Sequence, residues 1–143
     1  MLKKTLTFKD FDGNDMTRDF YFNLSKPDMI ALETSTPGGL SNHIKNLTEK
    51  NDIEGITKFV RKLIVESYGE RGEDGFSFIK VRNGVKLGEM FEQSLAYEAL
   101  FMELINPEDN GKAFNDFLTG IVPADLMAKA QAEQAKFLAN KNK

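Results

Sequence analysis

The chain has 143 residues, of which 41% are hydrophobic and 29% charged, and carries a net charge of −3. That length makes one ordinary domain, able to bury a core without a metal or disulfide staple, and the composition excludes global disorder. Cysteine is absent, which rules out a disulfide framework, a cysteine nucleophile and a thiolate metal site, and fits a reducing compartment.

Residues 3–24 read as a β-hairpin. Leu6 and Phe8 alternate with Thr5, Thr7 and Lys9 in the first run, and Phe20, Phe22 and Leu24 with Asp19 and Asn23 in the second. That period of two buries one face. Asp12-Gly13 marks the turn. A three-residue loop, Asp12-Gly13-Asn14, or a bulged variant keeps both apolar sets on one side. Ser25-Lys26-Pro27-Asp28 opens a helix with a cap, a first-turn proline and an acid. That helix ends before Thr36-Pro37-Gly38-Gly39, and a short one follows over about 40–49.

Asn51-Asp52 caps the next helix, whose stripe is Ile53, Ile56, Phe59, Val60, Leu63 and Ile64. Gly69 is expected to stop it. Residues 69–77 read as a flexible loop, and 78–82 as a short strand or extended link. A second helical block runs over about 87–105, with a break at Ser94. Phe91, Leu95, Leu100, Phe101, Leu104 and Ile105 wrap more than half of its surface and mark the central helix. Asn106-Pro107-Glu108-Asp109 starts another helix, carrying Phe114, Phe117, Leu118 and Ile121. Beyond Pro123, residues 124–138 are rich in Ala, Lys, Gln and Glu and sparse in apolar groups. The reading is therefore an α+β fold in which an N-terminal β-hairpin packs on a mostly helical bundle. Residues 1–123 form the body and 124–143 a C-terminal helical tail.

No constellation for chemistry emerges. Asp10-Phe11-Asp12-Gly13-Asn14-Asp15 has the flavour of a calcium loop, but its glycine is fourth instead of sixth and position twelve is Tyr21. It reads as a polar turn. Gly69, Gly72 and Gly75 lack a following Gly-Lys-Ser/Thr, and Glu70, Glu73 and Asp74 would repel phosphate. The single histidine, His43, cannot build a multi-histidine metal site and is expected on the solvated surface. Glu98 and Glu103 are expected at the edge of the central helix. We expect no enzyme activity, no metal and no cofactor.

The net negative charge disfavours nucleic acid. No apolar run approaches the ~20 residues needed to span a bilayer, and Met1-Leu2-Lys3-Lys4-Thr5 is not followed by a signal-peptide core. The expectation is a cytosolic protein that binds other proteins. Met127, Ala130, Phe137 and Leu138 fall on or near one side of the expected tail helix, with lysines, Gln131 and Gln134 around them; Met127, Ala130, Gln134, Phe137 and Leu138 are the candidate partner-binding residues.

Several strings occur in a telling order. They are Tyr21-Phe22-Asn23-Leu24-Ser25-Lys26, Ser67-Tyr68-Gly69, Phe78-Ile79-Lys80, Phe91-Glu92-Gln93-Ser94 with Ala96-Tyr97, Phe101-Met102-Glu103-Leu104, and Gly120-Ile121-Val122-Pro123. Their succession over about 5–123 resembles the tail assembly chaperones of long-tailed bacteriophages of Gram-positive bacteria. Residues 81–88 depart from that pattern, and the match fades over 124–143. The resemblance implies a non-structural factor that coats the tape measure protein in the host cytoplasm and is absent from the mature virion. It also implies homo-oligomers, contact with the major tail tube protein, and a longer form made by ribosomal frameshifting. The alternative is a tail tube or tail completion protein retained in the virion.

Overall fold

In the computed structural model, which describes residues 1–123, the alternating run folds into the expected hairpin. β1 (Leu2–Lys9) and β2 (Asp15–Phe22) pair antiparallel, from Leu2 opposite Phe22 to Lys9 opposite Asp15. Even positions oppose even positions, so Leu2, Leu6, Phe8, Met16, Phe20 and Phe22 share one face. The loop has three residues, but they are Phe11-Asp12-Gly13. The Asp10 N–H donates to the Asn14 carbonyl at 2.9 Å, and the Gly13 N–H to the Asp10 carbonyl at 3.0 Å. Gly13 takes φ +83°, the left-handed position that closes a three-residue hairpin loop with a bulge. Moving the loop back by one residue at both ends preserves the parity, so the buried face is the expected one. The Asp10 carboxylate accepts the Asn14 and Asp12 N–H groups at 2.9 Å each. Those bonds hold its pKa below the usual carboxylate value.

α1 (Lys26–Ser35) starts where the cap signal places it. The Asp28 N–H donates to the Ser25 hydroxyl at 3.2 Å, and the Ser25 N–H donates back to the Asp28 carboxylate at 2.9 Å. This reciprocal pair satisfies two otherwise orphaned helix-end donors. α2 (Leu40–Lys50) and α3 (Ile53–Ser67) follow, the latter capped by Asp52, which accepts the Gly55 N–H at 3.0 Å. α3 buries Phe59, Val60, Leu63 and Ile64.

The segment expected to be a flexible loop holds a strand. β3 (Tyr68–Arg71) pairs with β2 on one side and with β4 (Phe78–Ile79) on the other. The hairpin is thus half of a four-stranded antiparallel sheet of order β1-β2-β3-β4. α3 ends at Ser67, so Gly69 is a strand residue and not a stop signal. A Cβ there would lie 2.7 Å from the Ile79 carbonyl oxygen and from the Phe78 ring, so close approach is what demands glycine.

β5 (Val81–Arg82) and β6 (Val85–Lys86) form a small separate hairpin. Asn83 and Gly84 turn it with φ of +52° and +75°, as a primed turn requires. The helical block is broken at Ser94 as expected. α4 (Leu87–Glu92) ends there and α5 (Leu95–Leu104) begins, with Ser94 accepting the Tyr97 N–H at 3.2 Å. Pro107–Asp109 makes only a single 3-10 turn, and α6 (Lys112–Ile121) starts after Gly111. The core joins Leu6, Phe22 and Leu24 to α1–α6.

Candidate docking groove

α5 packs against β1. Its C-terminal Glu103 accepts from Lys4 Nζ at 2.9 Å, and Ala96 at its start lines the same groove as Phe8. Phe8, Phe20 and Tyr68 of the sheet, Val85 of the β5–β6 hairpin and Met90 and Phe91 of α4 line one concavity. The result is an open groove of about 620 Å³.

The floor is aromatic. Tyr68 stacks on Phe91 with centroids 4.4 Å apart, Phe20 meets Phe91 at 5.1 Å, and Phe8 meets Phe20 at 6.2 Å. Met16, Val85 and Met90 form the walls, with Arg18, Glu70 and Arg82 at the edge. Val85 and Met90 are exposed, Met90 by 55%. Exposed apolar side chains gathered around a concavity are the usual signature of a protein-binding surface. Two methionines add adaptable contacts. Glycine positions the wall: a Cβ at Gly88 would sit 1.9 Å from the Val65 carbonyl oxygen, so only glycine lets α4 lie this close to α3.

Arg82 pairs with Glu70 at 2.7 Å. Burial, reinforced by Glu70, pushes the Tyr68 phenol up and keeps it neutral. The shifted carboxylates elsewhere, Asp10, Asp19, Asp28 and Asp74, all move down. Each accepts turn, cross-strand or cap hydrogen bonds that favour the anion. None resembles a raised general acid. Among the described residues no group of three or more His, Cys, Asp or Glu side chains could hold a metal ion. No helix among them is long and apolar enough to cross a membrane.

A family model described as phage tail assembly chaperone matches residues 1–143. The chain belongs to the phage tail assembly chaperone family. No curated protein and no solved structure matches it.

The sequence-derived partner-binding stripe, Met127, Ala130, Gln134, Phe137 and Leu138, lies outside the described residues, as does the boundary drawn at 123/124. Other residues find clear places. His43 is half-buried with its ring edge-on to Phe59 at 5.2 Å, not solvated on the surface as expected. Glu103 is tied to Lys4, and Glu98 is exposed. Two phenylalanines depart from the core pattern: Phe11 and Phe76 are 80% and 87% exposed at loop tips. The groove itself was missed from sequence. Its walls depend on β3 and on the β5–β6 turn, and the Asn83-Gly84 dipeptide is the signal that could have revealed the second.

Proposed function

We propose that this chaperone binds the tape measure protein of a long-tailed phage of Gram-positive bacteria and keeps it soluble until the tail tube encloses it. The family match over the whole chain carries this reading. The open apolar groove supports it, because a chaperone needs a surface that covers exposed apolar stripes. A tape measure chain is long and helical, so many copies can line up along one client. Each then needs only a modest contact, since valency supplies the net grip. The chaperone acts in the host cytoplasm, self-associates along the client, and leaves before the virion matures. Met127, Ala130, Gln134, Phe137 and Leu138 add a second contact, to client or to a neighbouring copy. A frameshifted longer form would recruit the major tail tube protein.

Mass spectrometry of purified virions tests the non-structural part of this reading. The chaperone should be missing while tape measure and tube peptides are abundant. Its presence in amounts comparable to the tape measure protein would instead make it a tube or completion component.

A further inference from the structure

We propose that the docking groove selects apolar client segments that carry a carboxylate, and that the Arg18 guanidinium is the group that receives it, an inference that rests on the function proposed above. Two cations interrupt the face of the β1–β2 hairpin that carries Leu6, Phe8, Phe20 and Phe22. Lys4 stands opposite Phe20, and Arg18 stands opposite Leu6. Lys4 is tied to Glu103 at 2.9 Å. Arg18 is exposed and lines the groove, and among the described residues it has no ion pair, hydrogen bond or ring contact.

The acids near Arg18 are all engaged elsewhere. Asp19 follows it in the chain but belongs to the opposite face of β2. There it accepts from the Thr5 hydroxyl at 2.6 Å and pairs with Lys3 at 3.5 Å. Asp15, on the same opposite face, pairs with Lys9 at 3.0 Å. Glu70 lines the groove and pairs with Arg82 at 2.7 Å. Among the described residues Arg18, Glu70 and Arg82 are the charged side chains that line the groove. It therefore holds one unanswered positive charge.

Position gives that charge its effect. Met16 and Phe20 flank Arg18 on β2, each two residues and about 7 Å away along the strand, and both line the groove. A segment that closes over Met16 and Phe20 therefore covers Arg18 as well. A purely apolar segment would strip water from an unpaired guanidinium, which opposes binding. A segment that brings a carboxylate to this point meets the planar fork of donors that suits both carboxylate oxygens, with apolar groups on either side to exclude water. A helical segment laid along β2 fits this spacing when an Asp or Glu stands within its apolar stripe. Apolar residues one turn before and one turn after it, about 6 Å away along the axis, then face Met16 and Phe20. The attraction and the penalty act in the same direction, so one residue favours acidic stripes and disfavours apolar surfaces that lack a carboxylate.

The chain contains no tryptophan, so the fluorescence of a tryptophan placed in a peptide reports its binding to the full-length protein. The probes are three amphipathic helical peptides of about 18 residues, whose leucine stripe holds a single glutamate, glutamine or lysine at its centre. The parent should bind the glutamate peptide about tenfold more tightly than the glutamine peptide, and the lysine peptide most weakly. Arg18→Gln should keep the parent melting temperature and erase the difference between the first two. Arg18→Glu should reverse the order of the glutamate and lysine peptides. Lys45→Gln removes an exposed cation of α2 outside the groove and should leave the preference intact. Equal binding of the glutamate and glutamine peptides by the parent, with both weakened by Met90→Glu, would overturn the role of Arg18 and leave the groove as a client site. A preference that Lys45→Gln weakens as much as Arg18→Gln does would overturn it in favour of net charge. An Arg18→Gln variant with altered oligomeric state and unchanged peptide preference would overturn it in favour of a second copy in the groove. No binding of any peptide, or binding that neither Met90→Glu nor Arg18→Gln alters, would overturn it together with the groove as client site.

Discussion

Tyr68 and Phe91 lie ring on ring, 4.4 Å between centroids and 8° from parallel. One belongs to β3 and the other to α4, so this stack joins the sheet to the helical layer. Phe22, fully buried, packs edge-on against both rings and against Phe117. It is the point where β2, β3, α4 and α6 meet.

Phe22→Ala should therefore cost about 3–5 kcal/mol of stability, as a large-to-small change in a rigid core does. Phe20 is only half-buried, so Phe20→Ala should cost less. Phe11→Ala and Phe76→Ala should stay within about 0.5 kcal/mol of the parent. Urea titrations of the four variants give the ranking. Equal midpoints for Phe22→Ala and the parent would mean that the hairpin is not part of the core.

Gly88→Ala should destabilise by about 1–3 kcal/mol or more, because the added methyl meets the Val65 backbone and not a side chain that can move. Gly84 has open space where a Cβ would go but φ of +75°. Its alanine variant should cost roughly 1 kcal/mol, through backbone strain alone. Thermal melts separate the two causes: a Gly88→Ala variant as stable as the parent would place α4 farther from α3.

Burial works against the Asp28 charge, but hydrogen bonds from Lys80, 2.8 Å away, and from Ser25 outweigh it and lower its pKa. A carboxylate with a depressed folded-state pKa contributes stability above its unfolded pKa of roughly 3.9, and this is lost as pH falls through the folded value. The melting temperature should hold from neutral pH to about 5 and drop below about 4. Lys80→Ala should shrink the part of that drop due to Asp28. An identical acid profile in the variant would show that the Lys80 contact contributes nothing.

Much of the fold was legible because local signals agreed with tertiary demands. The alternation in β1 and β2, the Ser25–Asp28 cap and the break at Ser94 each rest on neighbouring residues, and each stands where the spacing placed it. The strand β3 was not legible. Tyr68-Gly69-Glu70-Arg71 is short, contains glycine and has no clean alternation. It is held extended by pairing with residues more than forty positions earlier, which no local window can see. His43 was misjudged for a related reason: Phe59, which covers it, comes from a different helix. The docking groove inherits both difficulties, since its floor joins β2, β3 and α4.

Met90→Glu should separate folding from client contact. The side chain is 55% exposed on the groove wall, so the change should move the melting temperature little. It should nevertheless place a charge against any apolar segment lying in the groove and weaken retention of tape measure protein. Unchanged retention with unchanged stability would move the client contact away from this groove.

Co-expression tests the central claim most directly. The tape measure protein is produced alone, with the intact chaperone, or with an unrelated protein of similar size and charge, and its soluble fraction is measured. The account predicts a largely insoluble client alone and with the unrelated protein, and a soluble complex containing many chaperone copies when the two are made together. A client that remains as insoluble with the chaperone as without it, or that is soluble alone and forms no complex, would contradict the account.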